Sequence, residues 1–365
     1  MTLSVDLSEK IKAIISESGP MPVSEFMRIA LRSYHNSYYV ADMGIGKRGD
    51  FITAPEISQI FGEIIGVWCA NYWQLAGKPK NFNLIELGPG KGTLMSDLLR
   101  ATKGVDDFHK NINISLVEIN HQFKEIQKSA INHHSVNHYE SYDQIEPGFS
   151  IIVANEFFDA LPINQYIKKK DKWFVNMVDL NSDRSHLCIN YYDANDNIRS
   201  FLSNQYNHIP DEGIIEINDE ANILIKKITK NIMKYGGAVL IIDYGYTEST
   251  NRNFISTLQS VKNHKFHPLF KEIGSADLTS HINFTNLYDT AKIYDGVIHG
   301  PVTQRDFLLR MGADLRRDLL IQNAKTSAAK KQILSGYERL TCHKQMGDLF
   351  KVMAITNHQV VDIGF

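Results

Sequence analysis

No run of about 18 apolar residues occurs in the sequence, so no transmembrane helix is expected. An excess of one charge sign is also missing. The 39 basic and 41 acidic side chains give a formal net charge of −2, which argues against non-specific nucleic-acid binding as the main task. Cysteine is scarce. Cys69, Cys188 and Cys342 stand far apart, at spacings that fit neither a zinc knuckle nor a redox CxxC, and they are read as reduced thiols. His264 and His267 lie close together, but no carboxylate or cysteine completes a metal set, so no metal is expected. The N-terminal residues form no apolar signal core and include Asp6, Glu9 and Glu17, acids that a transit peptide would avoid. On that ground a cytoplasmic location is expected. Internal repeats and low-complexity linkers are absent as well.

What is present is ordinary for a globular protein: 365 residues, 43% hydrophobic and 22% charged, enough for roughly two domains. Leu7, Ile11, Ile14 and Ile15 recur at helical spacing before Gly19-Pro20, and a second helix is expected over about 24–32. A longer helix is expected over 53–75. Thr53 and Glu56 have capping-box spacing, Pro55 falls in the first turn, and Ile57, Ile60, Phe61, Ile64, Ile65 and Trp68 make an apolar stripe.

Four short apolar runs, 83–87, 114–118, 151–155 and 238–244, have the continuous Ile/Val/Leu character of parallel strands covered on both faces. Helical segments follow the first two. The alternation predicts an α/β fold with a doubly wound sheet. Each run ends in a polar or glycine-rich stretch, and ligands of such sheets bind outside the carboxyl ends of the strands. Residues 165–215 read instead as an antiparallel β insertion, and 349–355 as a late strand returning to the main sheet.

Ile85-Glu86-Leu87-Gly88-Pro89-Gly90-Lys91-Gly92-Thr93 is the strongest local motif. Its glycines permit a tight turn and close approach of backbone to a ligand. The spacing is neither the G-x-G-x-x-G of dinucleotide folds nor a GK[ST] phosphate loop, which favours a nucleoside without phosphate. The acid-first form, with Glu86 leading, is similar to the first motif of class I S-adenosylmethionine methyltransferases. A ribose needs a carboxylate at the end of the next strand, and Glu118 stands there.

Asn155-Glu156-Phe157-Phe158-Asp159 follows the third run. In methyltransferases this strand end faces the methyl group. Its two acids suit a guanidinium acceptor, which carboxylates can grip bidentately. Asp243-Tyr244 ends the fourth run and reads as a wall of the acceptor pocket. His281 is a candidate proton acceptor near neutral pH. Asp50 and Phe51 follow Gly44, Gly46 and Gly49, so a lid over residues 38–51 is a further expectation.

Five blocks carry a wider resemblance: GDFITAPEISQIFGE (49–63), IELGPGKGTLMSDLLR (85–100), NEFFDALPINQY (155–166), GGAVLIIDYGY (236–246) and DLTSHINF (277–284). In this order they resemble the MidA family of S-adenosyl-L-methionine (SAM)-dependent methyltransferases, whose mitochondrial member is a complex I assembly factor. The resemblance spans about 20–355. It implies a class I methyltransferase fold with SAM as cofactor, and protein arginine methylation. The family's mitochondrial acceptor is a core subunit of respiratory complex I. It assigns SAM to Gly88, Gly90, Gly92 and Glu118, which Glu86 is expected to join, and places the acceptor near Glu156 and Asp159, the expected catalytic residues. Asp50, Phe51, Phe157, Asp243, Tyr244 and His281 become the acceptor side. The expected organisation is an N-terminal helical or lid segment (1–52), a methyltransferase core (53–165 and 236–365) and an inserted substrate-side lobe (166–235). A non-catalytic assembly factor that keeps the cofactor fold is the alternative.

Overall fold

A computed structural model describes residues 6–41, 52–247, 254–358 and 363–365. The chain divides into two compact units. One comprises Met1–Gly44, Ala160–Ala221 and Glu248–His281, the other Ile45–Asp159, Asn222–Thr247 and Ile282–Phe365.

The second unit is built on an eight-stranded sheet. Its strands are β1 (Phe82–Leu87), β2 (Ile112–Val117), β3 (Val136–Tyr139), β4 (Ser150–Asn155), β5 (Gly237–Tyr246), β6 (Ile282–Asn283), β7 (Val297–Thr303) and β8 (Phe350–Thr356). The order is β3-β2-β1-β4-β5-β8-β7, with β6 added at the end of β5. Pairing is parallel from β3 to β5, while β8 runs antiparallel between β5 and β7. Leu87 pairs with Val117 on one side and Ala154 on the other, so three carboxyl ends lie level. The order reverses between β1 and β4, the position where open α/β sheets bind ligands. All four expected strands and the late one are present. The sequence reading missed β3, a short edge strand with no fully buried residue.

Both faces of this sheet are covered, which is why its strands read as unbroken apolar runs. Ile151 and Val153 of β4 share a core with Ile64, Ile65 and Trp68 of helix α1 (Gln59–Leu75) and Leu94 and Leu98 of helix α2 (Thr93–Thr102). The two helices approach closely: a Cβ on Gly66 would stand 2.8 Å from the Leu98 carbonyl oxygen. The helix expected from residue 53 is broken. A single turn, Ala54–Ile57, precedes Ser58, which is extended and caps α1 by accepting from the Ile60 amide at 3.3 Å. Thr53 makes no side-chain cap bond.

In the first unit, helices Leu7–Ser18 and Val23–Leu31 accompany a five-stranded antiparallel sheet. Strand Lys172–Leu180 pairs with Asn164–Lys169, with Leu187–Asp193 and with the two-residue strand Met21–Pro22. Ile214–Ile217 completes this sheet beside Asn164–Lys169. Tyr166, Trp173, Leu202, Ile209 and Ile215 form its core. A three-stranded sheet follows, with Gln259–Lys262 between Lys265–His267 and Asp277–Thr279. The N-terminal helices therefore share a unit with the inserted strands, and 248–281 joins them, whereas the sequence reading divides the chain at 52, 165 and 235. The pairing of Met21 with Val178 spans a separation that no local pattern reveals.

Candidate active site

The glycine loop leaves β1 with three left-handed residues, Gly88, Gly90 and Gly92, at φ +64°, +51° and +77°. This conformation is costly for any residue with a Cβ. It turns the chain directly into α2, whose N-cap is Gly92. Space is short as well. A Cβ on Gly88 would meet the Phe157 ring at 3.0 Å, and one on Gly92 would meet Gln127 Cα at 3.3 Å. The loop is thus held between the chain after β4 and helix α3 (His121–Ala130).

Glu118 follows β2 directly and is buried. It accepts from the Asn120 amide at 2.8 Å and from Gln127 Nε2 at 3.4 Å. Burial nevertheless dominates and lifts its carboxyl to about 7. Glu86, inside β1, is lifted to about 8 by the same cause, against a bond from the Met95 amide. Three buried polar atoms near these strand ends have no hydrogen-bond partner among the described residues: Glu86 Oε2, Asn120 Nδ2 and Asn155 Oδ1. Buried polar atoms without partners are rare in native proteins and call for a polar ligand. A carboxyl oxygen, an amide donor and an amide acceptor together suit a ligand carrying an ammonium group, hydroxyls and ring nitrogens. The residues present therefore fit SAM.

After β4 the backbone turns at Glu156, a non-glycine residue at φ +48°. Its carboxylate accepts from the Ala54 amide at 3.1 Å and from Asn155 Nδ2 at 3.3 Å. The Ala54–Ile57 turn has a second tie, since the Thr93 hydroxyl donates to Glu56. Glu56 therefore serves the glycine-loop helix and not the expected capping box. Asp159 is buried, and the Tyr244 hydroxyl donates to its Oδ2 at 2.5 Å. Asp243 is fully buried beneath this loop. Its Oδ2 accepts from the Phe158 and Asp159 amides at 3.1 and 3.2 Å, and its Oδ1 from the Tyr244 amide at 2.9 Å. Burial, together with the nearby Asp159 and Glu156 charges, pushes its carboxyl well above the usual range.

The structure thus brings Glu86, Gly88, Gly90, Gly92, Glu118, Glu156, Phe157, Asp159, Asp243 and Tyr244 together in one unit. His281 belongs to the other unit. There its amide donates to Thr257 Oγ1 at 2.9 Å, and with Gln259, Phe266 and His267 it lines an open groove of about 620 Å³. Asp50, Phe51 and most of the lid expected over 38–51 lie outside the described residues. Gln127 escaped the sequence reading. Its signal is a glutamine four places after Phe123, on the one helix face that both residues bury. No group of three or more potential metal ligands occurs among the described residues, and no described helix is long and apolar enough to cross a membrane.

Residues 64–302 match the family described as "Putative S-adenosyl-L-methionine-dependent methyltransferase". The chain is 34% identical to the mitochondrial protein arginine methyltransferase NDUFAF7 of Xenopus tropicalis, over 93% of this chain and 83% of that protein. Identity to the human protein of that name is 32%, over 94% and 82%. Among solved structures, a Burkholderia thailandensis protein bound to S-adenosyl-homocysteine (SAH) superposes with a TM-score of 0.83 at 22% identity, covering 96% of this chain and 91% of that one. The two NDUFAF7 proteins are named as mitochondrial, which overturns the expected cytoplasmic location. The acids behind that expectation have structural work instead. Asp6 caps helix Leu7–Ser18 by accepting from the Ser8 amide at 3.1 Å, and Glu9 pairs with Lys12.

Proposed function

The chain belongs to this family of SAM-dependent methyltransferases, and from that premise we propose that it methylates an arginine side chain of a protein. The observation that carries this reading is the fixing of two acids, Glu156 and Asp159, beside the glycine loop at the end of β4. The relatives named protein arginine methyltransferase support it. A core subunit of respiratory complex I is the acceptor protein that the family resemblance puts first.

Gly88, Gly90 and Gly92 would receive the cofactor's amino-acid part on their backbone, and Glu118 would accept from its ribose hydroxyls. When bound, SAM supplies a methyl group on a positively charged sulfur. Glu156 grips the guanidinium through two N–H groups and fixes which nitrogen points at the methyl. Alignment of this kind contributes several kcal/mol to a displacement reaction. The carboxylate also draws positive charge toward itself and leaves the attacking nitrogen richer in electrons. With SAM bound, the nitrogen would take the methyl, the bonding electrons would stay on the sulfur, and the Glu156 carboxylate would accept the proton that the nitrogen sheds. Phe157 and Tyr244 wall the acceptor side. Asp243 acts from beneath, by holding the amides of the acid loop. The reading as a non-catalytic assembly factor is not favoured.

The test incubates the protein, and Glu156→Gln beside it, with methyl-labelled SAM and a cell extract. Labelled bands are hydrolysed and the modified amino acid identified. Methylarginine in a discrete band, absent with the variant, is expected. Label on another residue type, or none from a protein that binds SAM, overturns the arginine assignment.

A further inference from the structure

Gln127 is fully buried on α3 and has no place in the chemistry described above. Its side chain nevertheless joins two elements of the cofactor site to strand β3. Nε2 donates to the Gly90 carbonyl at 2.7 Å and to Glu118 Oε2 at 3.4 Å. Oε1 lies 2.9 Å from His138 Nε2, on strand β3. The two acceptors on one side fix the orientation of the amide. Oε1 is therefore the acceptor, and His138 Nε2 carries the hydrogen that it receives. The backbone is committed too, since Gly92 approaches Gln127 so closely that a Cβ would stand 3.3 Å from its Cα.

We propose that Gln127 is a positioning residue for cofactor binding, a clamp that sets the distance between the glycine loop and the ribose carboxylate, with His138 holding it from outside. The proposal rests on reading Gly88–Gly92 and Glu118 as the cofactor site. A cofactor bridging these two elements binds well only if both are in place before it arrives. The chain of donors, His138 to Gln127 and Gln127 to Gly90 and Glu118, supplies that order. Gln127 itself is fully buried, so a bond that its side chain leaves unmade there is costly.

SAH affinity, measured by calorimetry on the full chain, tests the clamp, with the ligand-free melting temperature as the fold control. Glu118→Ala is expected to weaken binding strongly. Gln127→Met, similar in volume but without the hydrogen bonds, is expected to weaken it about tenfold. In the Glu118→Ala background the same change should cost only about two- to threefold, because the two residues act together. His138→Leu should weaken binding about threefold, and His138→Gln, which keeps a donor, should restore it. That rescue is a readout a merely structural role would not move, and it carries the test if Gln127→Met does not fold. Glu118→Ala binding like the wild type would show that the cofactor assignment itself fails. A weak Glu118→Ala beside wild-type affinity in Gln127→Met, or equal affinity in both His138 variants, would overturn the clamp alone.

Discussion

Glu156 Oε1 accepts the amide hydrogen of Ala54 across 3.1 Å, which ties an acid at the end of β4 to the turn in front of α1. A glutamine at this position keeps one acceptor oxygen and the fold of the turn, and loses the charge and the second acceptor. Glu156→Gln is therefore expected to bind SAH within about twofold of the wild type while methyl transfer falls by a factor of about 100 or more. Calorimetry and a labelled-methyl assay on the same preparation separate the two. A parallel loss of both would show that the charge is needed for cofactor binding as well.

Cofactor affinity should depend on pH through Glu118. Its carboxyl sits at about 7 in the ligand-free protein, and accepting ribose hydroxyls favours the ionised form. Below 7 a proton must leave on binding, so affinity falls as pH falls. SAH should bind about tenfold more tightly at pH 8 than at pH 6. Glu118→Gln should bind weakly with a flat profile, whereas a wild-type profile without slope would place the ribose elsewhere.

Glu86 makes the opposite prediction for stability. Its folded-state carboxyl is raised from 4.5 to about 8. Between those values the folded chain holds a proton that the unfolded chain has released. Stability therefore falls as pH rises from about 5 to about 8. The melting temperature of the ligand-free protein should decline over that range more steeply than that of Glu86→Gln. Parallel profiles for the two proteins would mean that Glu86 ionises normally.

Asp243→Ala leaves the amides of Phe158, Asp159 and Tyr244 without their buried acceptor. A loss of about 3 kcal/mol in unfolding free energy is expected, readable by urea denaturation. A loss below about 1 kcal/mol would mean that the loop finds other acceptors.

Most of the larger unit was legible because parallel strands covered on both faces have only one kind of sequence. Residues 151–154 are all apolar and all fully buried, and nothing competes with that reading. The late strand near 350 is antiparallel to both neighbours, yet it too is buried on both faces and therefore reads as an apolar run. Strand Val136–Tyr139 was not, since it has one neighbour and little burial to impose a pattern. Ser58 was missed because the apolar stripe runs on through it, and the break answers to Glu56 and Thr93 instead. The strand-end acids could be named from position alone. That Asp243 serves the acid loop from below, and that Gln127 faces inward, depend on contacts between distant segments that spacing does not encode.

Strand β8 lies near the far end of the chain, yet it sits inside the sheet, between β5 and β7. On a ribosome, β5 emerges more than a hundred residues before its antiparallel neighbour. Until β8 has been made, β5 presents an unpaired border on that side, apolar from Ala238 to Ile242. Such borders recruit other chains. The nascent protein is thus vulnerable to association until Phe350–Thr356 has been made, and a chain cut short before Phe350 would keep that border open for good.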